Sequence, residues 1–313
     1  MPTYRDGLPQ LAEELFLTDG GLETDLIFNA GIDLPDFAAF TLLTDPAGRR
    51  ALRDYYEPYA RLAVEAGVGI VLETPTWRAS PDWAARLGCS PSRLDEVNRA
   101  AVELLVQVRE AYETAQSPVV ISGCVGPRGD GYSPTALLSP EQAQDYHDVQ
   151  IATFSATSAD LVTAMTMTHT GEAVGLARAA AARGLPCVIS FTVETDGRLP
   201  TGESLEAAVR TVDDATASSP SYYMVNCAHP THVAGALRSG SGWQSRLRGL
   251  RANASTMSHA ELDAAEELDD GDPQALAAQY AELRADLPHL TVLGGCCGTD
   301  HRHVRAIRQA CVT

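Results

Sequence analysis

The chain has 313 residues, of which 45% are hydrophobic and 20% are charged, and its formal net charge is −18. This composition is typical of a globular protein, and the negative charge argues against nucleic acids and anionic membranes as partners, because their phosphates would be repelled. All 23 basic residues are arginine, which excludes chemistry that needs a lysine amine of this chain, such as a Schiff base.

Hydropathy and the N-terminal segment predict a cytoplasmic protein. No apolar run reaches the roughly 20 residues of a membrane-spanning helix. The polar, acidic segment from Met1 to Leu15 lacks the basic and apolar regions of a secretory signal. The seven cysteines are an odd number, and in the reducing cytoplasm they are not expected to form a disulfide framework.

Short apolar runs alternate with longer helical patterns along the chain. The predicted strands are Leu15–Thr18, Val68–Thr74, Val119–Gly123, Leu161–Met165, Cys187–Thr192, Tyr222–Asn226, Leu250–Ala252 and Thr291–Leu293. The predicted helices are Pro46–Ala66, Ser92–Ala115, Pro140–Ser155, Gly171–Arg183, Glu203–Ala217, Thr231–Arg238, Pro273–Ala285 and His301–Cys311.

Continuous apolar strands joined by crossover helices are typical of a parallel sheet that is buried on both faces. Eight such units predict a single (β/α)8 TIM barrel, one domain over residues 1–313. The alternative is an open doubly wound sheet, but Asp19-Gly20-Gly21 after the first strand does not form its phosphate-binding glycine pattern. The serine- and glycine-rich stretch 239–245 is the most linker-like segment, and we predict no domain boundary there.

Reactive side chains of such barrels lie at the C-terminal ends of the strands. We therefore predict a site at this rim. Its candidate substrate-binding residues are Asp19, Glu23, Thr74, Trp77, Glu194 and Asn226, and its candidate catalytic residues are Cys227, Cys296 and Cys297.

Cys227, Cys296 and Cys297 follow the sixth and eighth predicted strands, about 10 Å apart before barrel curvature shortens the gap. Three sulfur ligands with one open position suit zinc, at metal–sulfur distances of about 2.3 Å. Flanking glycines would let the backbone turn so that both adjacent thiols face inward. The residues alone leave two other interpretations open: a lone core thiol beside an incidental pair, or a strained vicinal disulfide.

Four segments are distinctive: TDGGLETDLI at 18–27, GCVGPRGDGY at 123–132, MVNCAHP at 224–230 and VLGGCCGT at 292–299. Together they resemble the homocysteine S-methyltransferase family, which includes betaine- and S-methylmethionine-dependent enzymes, over nearly the whole chain. The resemblance implies a (β/α)8 barrel and zinc bound by the three cysteines. It also implies that Asp19 helps to shape the thiol pocket.

One position departs from the family pattern. Many members carry a glutamate at the end of the fourth strand that binds the amino group of homocysteine, and Met165 stands there in this chain. A neutral thioether cannot form a charge-assisted bond to an ammonium group. Either another acid, such as Glu23, Glu73 or Glu194, supplies the contact, or the acceptor is a different thiol.

The sequence therefore predicts a zinc-dependent S-methyltransferase that moves a methyl group from a small sulfonium or quaternary ammonium donor to homocysteine. The alternatives are methylation of a different small thiol and a non-catalytic zinc-binding barrel. The expected partners are a small thiol acceptor and a small methyl donor, without nucleic acid or membrane, and a homo-oligomer stays open.

Aromatic rings attract cations, so four aromatic residues are candidates for contact with the methyl donor: Trp77, Tyr132, Tyr222 and Tyr223. Ordinary packing is the favoured interpretation for Tyr222.

Several other polar residues lie near the motifs. We expect His229 to cap a helix or support the site rather than bind metal, and His301 and His303 to lie on the surface. Arg78 and Arg128 either hold a substrate carboxylate or form structural pairs.

Overall fold

Eight parallel strands close into a barrel in chain order, with the last strand paired to the first. The structure, a computed structural model, describes residues 1–134, 137–238 and 242–311, so residues 239–241 of the linker-like stretch lie outside it. The strands are β1 Phe16–Thr18, β2 Gly69–Glu73, β3 Val119–Val125, β4 Leu161–Met167, β5 Cys187–Phe191, β6 Tyr222–Asn226, β7 Leu247–Ala252 and β8 Val292–Gly295. The predicted (β/α)8 barrel is confirmed.

The helices follow the strands around the outside of the barrel. They are α1 Leu22–Thr24, α2 Pro46–Ala66, α3 Pro81–Arg86, α4 Pro91–Tyr112, α5 Pro140–Ser155, α6 Thr170–Ala182, α7 Leu205–Thr216, α8 Pro230–Leu237, α9 His259–Asp263, α10 Pro273–Asp286 and α11 His301–Cys311. Within the described ranges, no helix combines the length and the apolar character needed to cross a bilayer.

Local chemistry explains where the helices begin and end. The side chain of Asp45 accepts hydrogen bonds from two backbone N–H groups of the first turn of α2, Pro46 occupies its first position, and Gly67 ends it with a φ of +64°. The sequence did not predict α1, α3 and α9, because helices of three to six residues are too short to show a helical period.

The barrel interior changes from apolar to polar toward the C-terminal ends of the strands. The lower layer is a buried apolar cluster formed by Leu8, Phe16, Val71, Val120, Leu161, Val188, Tyr222, Met224 and Val292. The next layer is buried and polar, and it contains Glu73, Ser122, Thr163, Ser190, Asn226 and Arg251. The C-terminal mouth therefore rests on a polar floor.

Two aromatic candidates for the methyl donor lie elsewhere. Tyr222 belongs to the lower apolar layer, as favoured for it. Tyr223 is buried and donates a hydrogen bond to Asp213 at 2.8 Å, with the guanidinium of Arg246 over its ring. The proposal of Tyr223 as a donor contact is wrong, because alternation along β6 turns its ring outward, toward α7.

The N-terminal segment closes the opposite end of the barrel. Asp160, just before β4, accepts hydrogen bonds from the backbone N–H groups of Thr3 and Tyr4 at 2.8 Å each and from that of Ile121 at 2.9 Å. Its carboxylate also pairs with the buried guanidinium of Arg109. One buried acid thus joins the N-terminal segment, α4 and two strands.

We expect Asp160→Asn to lower the free energy of unfolding by about 3 kcal/mol, because it leaves the Arg109 guanidinium buried without a counter-charge. Chemical denaturation monitored by circular dichroism would measure the change. Asp148→Asn is the matched control, since Asp148 pairs with Arg183 in solvent and its loss should cost less than about 1 kcal/mol. Equal losses for the two variants would contradict the role of Asp160.

Candidate metal centre

Three thiols meet at the C-terminal mouth of the barrel. Cys227 directly follows β6, and Cys296 and Cys297 directly follow β8. The sulfurs of Cys227 and Cys297 are 3.9 Å apart, and all three sulfurs lie within 4.8 Å of one another. All three cysteines are free thiols, so neither a lone Cys227 nor a vicinal disulfide describes this arrangement.

The backbone at Cys227 adopts an uncommon conformation with a φ of +54°. Three hydrogen bonds hold it. The Cys227 N–H donates to the carbonyl of Arg251 at 3.1 Å, and the Cys227 carbonyl accepts from Nε2 of His259 at 2.6 Å and from Nδ2 of Asn253 at 3.2 Å. The surroundings thus stabilise a turn that residues other than glycine rarely adopt.

Glycines shape the turn that carries the adjacent pair. A Cβ at Gly294 would overlap the side chain of Thr18, and a Cβ at Gly295 would overlap that of Thr299. The Cys296 carbonyl accepts hydrogen bonds from the N–H of Thr299 at 3.1 Å and from its hydroxyl at 2.7 Å, which closes the turn. Only residues without a side chain fit this close approach of β8 to its neighbours.

The surroundings of Cys296 favour its thiolate form. Hydrogen bonds with the thiols of Cys227 and Cys297, together with the positive charge of Arg251, hold the pKa of the Cys296 thiol well below its usual value. The buried Arg251 guanidinium pairs with Asp19 at 2.8 Å and donates to the carbonyls of Gly20 and Gly295 at 3.0 Å each. A thiolate is the form of cysteine that binds metal ions.

The donor set fits a zinc ion. Sulfur ligands at about 2.3 Å around a tetrahedral ion are about 3.8 Å apart, and the observed Cys227–Cys297 separation is 3.9 Å. Three sulfur ligands favour zinc over the hard cations magnesium and calcium, which prefer oxygen.

Two polar residues lie directly against the thiols. The Asn226 amide nitrogen lies 3.8 Å from the Cys296 sulfur and donates to the hydroxyl of Thr166 at 2.8 Å, while its oxygen accepts from the Thr166 N–H at 3.0 Å. The Tyr132 hydroxyl lies 3.3 Å from the Cys227 sulfur. Its ring packs on that of His259, with 4.5 Å between centroids.

Comparison with known proteins identifies the family. A family model described as homocysteine S-methyltransferase matches residues 16–311. The chain belongs to the homocysteine S-methyltransferase family. This membership confirms the predicted resemblance and the predicted enzyme class, an S-methyltransferase acting on homocysteine. It does not favour methylation of a different small thiol or a non-catalytic zinc-binding barrel. A comparison with curated proteins gives no match.

Solved structures support the barrel of this family member. The oxidized form of the homocysteine methyltransferase MmuM from Escherichia coli is 21% identical with a TM-score of 0.79, covering 98% of this chain and 99% of that one. The metallated form is 22% identical with a TM-score of 0.75, covering 95% and 96%. That MmuM protein has a metallated form, and this chain has a three-cysteine cluster with the spacing of a metal site.

The predicted substrate-binding residues differ in how far their polar atoms are engaged. Asp19 contacts Arg251 and also accepts from the Tyr55 hydroxyl at 3.2 Å. The Thr74 hydroxyl is 2.6 Å from that of Thr76 and accepts from the Cys124 N–H at 2.9 Å. These contacts are internal to the protein, and the substrate roles of both residues stay predictions.

Trp77 follows β2, and Glu194 follows β5, three strands further around the barrel. The half-buried Trp77 ring packs against Gly131, carries the guanidinium of Arg78 at 4.0 Å from its centroid, and leaves its buried Nε1 without a hydrogen-bond partner. The Glu194 carboxylate lies 3.2 Å from Nδ1 of His259, the residue that binds the Cys227 carbonyl. Glu194 therefore reaches the cluster through an imidazole.

Glu23 lies on α1, beside the cysteine turn. Gly21 approaches the Cys296 carbonyl so closely that a Cβ there would overlap it, and the Gly298 N–H donates to the Thr24 hydroxyl at 3.1 Å. Burial is the main cause that raises the pKa of the Glu23 carboxyl to about 7, and the neighbouring Cys296 and Asp19 also raise it.

Four lesser candidates have defined places. His229 caps α8 by accepting from the Thr231 N–H, as predicted. The expectation that His303 lies on the surface is wrong: it is fully buried in the first turn of α11, where its ring contacts Asp300. Arg78 is held between two tryptophan rings, and Arg128 pairs with Asp82 at 2.7 Å, so both form structural contacts.

Sequence reasoning missed three residues that shape the centre: Arg251, His259 and Thr166. The signal for Arg251 was present, because a charge inside a buried strand needs a partner. His259 gave no signal, since its short helix has no visible period. Thr166 has a φ of +63°, which its residue type does not reveal.

We expect Cys297→Ala to lose most of its bound zinc, because only two of the three sulfur ligands remain. Elemental analysis after dialysis would measure about one zinc per chain in the parent protein. Cys89→Ala is the matched control, since the Cys89 thiol donates to the carbonyl of Ser90, is not part of the three-sulfur cluster, and should leave the zinc content unchanged. Full zinc occupancy in Cys297→Ala would refute the ligand assignment.

We expect Asn226→Ala to weaken zinc binding about 10-fold or more, because the amide orients both Cys296 and the strained Thr166 turn. Competition with a chromophoric chelator would give the affinity. Asn98→Ala is the control, because Asn98 is a buried amide that donates to the carbonyls of Ala79 and Leu94, away from the thiols. A similar zinc affinity in both variants would leave Asn226 without an orienting role.

Proposed function

We propose that Cys227, Cys296 and Cys297 hold a zinc ion, and that the protein moves a methyl group from a small sulfonium or quaternary ammonium donor to the sulfur of homocysteine. The convergence of three thiols within 4.8 Å, in a member of this family, is the observation that carries the proposal. We also propose that residues 1–313 form one domain and that the protein works in the cytoplasm, where such thiols stay reduced.

When bound, zinc would supply a Lewis acid that lowers the pKa of the acceptor thiol, about 8.5 when free, and favours its nucleophilic thiolate form. The protein contributes the arrangement of the ligands. The Cys227 turn is held by His259 and Asn253, and Arg251 keeps negative charge at Cys296 favourable. These contacts fix the sulfurs before any substrate arrives, which is the preorganisation that metal sites require.

Tyr132 and Trp77 form one side of the mouth above the thiols. The Tyr132 hydroxyl lies against the Cys227 sulfur. Tyr132 directly follows Gly131, and the Trp77 ring packs against Gly131. Trp77 remains our candidate for contact with a cationic donor, because aromatic rings attract sulfonium and ammonium groups.

The reaction is a direct displacement. The acceptor sulfur forms a bond to the methyl carbon while the bond from that carbon to the donor sulfur or nitrogen breaks, and its electron pair leaves with the donor. The acceptor thiol gives up its proton to solvent. Because the donor is a cation and departs as a neutral sulfide or amine group, the step needs no general acid to protonate the leaving group.

We expect the zinc-loaded protein to methylate homocysteine with at least one of three donors, S-methylmethionine, S-adenosylmethionine or betaine. Mass spectrometry would detect methionine as the product. Cys296→Ala is the inactive control, because it removes the sulfur next to Arg251 that we assign to the metal. The absence of methionine with every donor, in protein shown to contain zinc, would contradict the proposed activity.

A further inference from the structure

The proposed acceptor carries an ammonium group close to its thiol. Such a group loses part of its hydration in a protein site and needs a carboxylate there. Alternation along β4 places Met165 on the same inward face as Thr163, toward the mouth, and Met165 is buried and uncharged. The negative partner of the ammonium therefore has to come from another element.

Three carboxylates near the mouth already have partners. Asp19 pairs with Arg251. Glu73 lies in the polar layer below the mouth, is buried, and accepts from the Thr163 hydroxyl at 2.8 Å. Glu194 pairs with His259. A ligand that used any of them would have to replace a contact within the protein.

Glu23 differs from these three acids. Within the part of the chain that the structure describes, its carboxylate forms no ion pair and no hydrogen bond with another residue. It is half-buried, so it is only partly hydrated. An anion in such a place is stabilised most by a cation that arrives with the ligand.

The position of α1 is fixed relative to the thiols. The neighbours of Glu23, Gly21 and Thr24, both contact the turn formed by residues 296–298. An amino acid whose sulfur reaches the cysteine cluster would thus bring its ammonium group near α1.

We propose that Glu23 binds the ammonium group of the acceptor and thereby selects amino acid thiols. Glu23 would supply the negative charge that Met165, at the usual glutamate position, lacks. This inference rests on the proposed function, because it takes homocysteine as the acceptor. It assigns to α1 a specificity role that is separate from metal binding.

We expect Glu23→Gln to weaken binding of homocysteine to the zinc-loaded protein about 10- to 100-fold, the effect of losing a hydrogen bond between charged groups. Titration calorimetry would measure the dissociation constant, and the same titration with 4-mercaptobutanoate, which lacks the amine, should change by less than about 2-fold. Turnover with both acceptors would be recorded in parallel, as a separate test of the proposed function.

Two comparison variants make the result decisive. Glu14→Gln removes an exposed glutamate before β1, at the opposite end of the barrel, and should change neither dissociation constant. Glu194→Gln removes an acid at the mouth that already has a partner. The inference is overturned if Glu23→Gln affects both thiols equally, if it affects neither, or if only Glu194→Gln discriminates between them.

Discussion

A buried ion pair between Arg251 and Asp19 organises the functional end of this barrel. A guanidinium inside a protein is costly unless charge and hydrogen bonds compensate it, and here the Asp19 carboxylate and the carbonyls of Gly20 and Gly295 do so. These groups belong to the ends of β1, β7 and β8. The same positive charge favours a negative sulfur at Cys296. Strand closure and the electrostatics of the thiols thus depend on one side chain.

The polar layer of the barrel continues this organisation around the ring of strands. Asn226 on β6 contacts Ser190 on β5, Thr166 on β4 and the Cys296 sulfur. Its amide therefore joins β4, β5, β6 and the turn after β8. The unusual backbone angles at Thr166 and Cys227 occur where these contacts are densest. Local strain of this kind persists only where the surroundings fix it, and it is common at functional sites.

Much of this architecture could be predicted because the sequence shows regular alternation of apolar runs with helical patterns, and distinctive motifs. All eight strands were found, although β7 begins at Leu247, three residues before its predicted start. The three cysteines were brought together because the ends of parallel strands share one rim. Contacts between distant segments were not predictable: no pattern joins His259 to the Cys227 carbonyl, and the burial of His303 depends on tertiary packing.

Asp160 and its hydrogen-bond partners lie at one end of the barrel, and the three thiols lie at the other. Among the contacts described above, Asp160 and the thiols share no hydrogen-bond partner. Free-energy effects of changes at well-separated sites are usually additive. This barrel is therefore suited to engineering. Stabilising substitutions around Asp160 would compensate for destabilising changes made at the rim to accept new thiols.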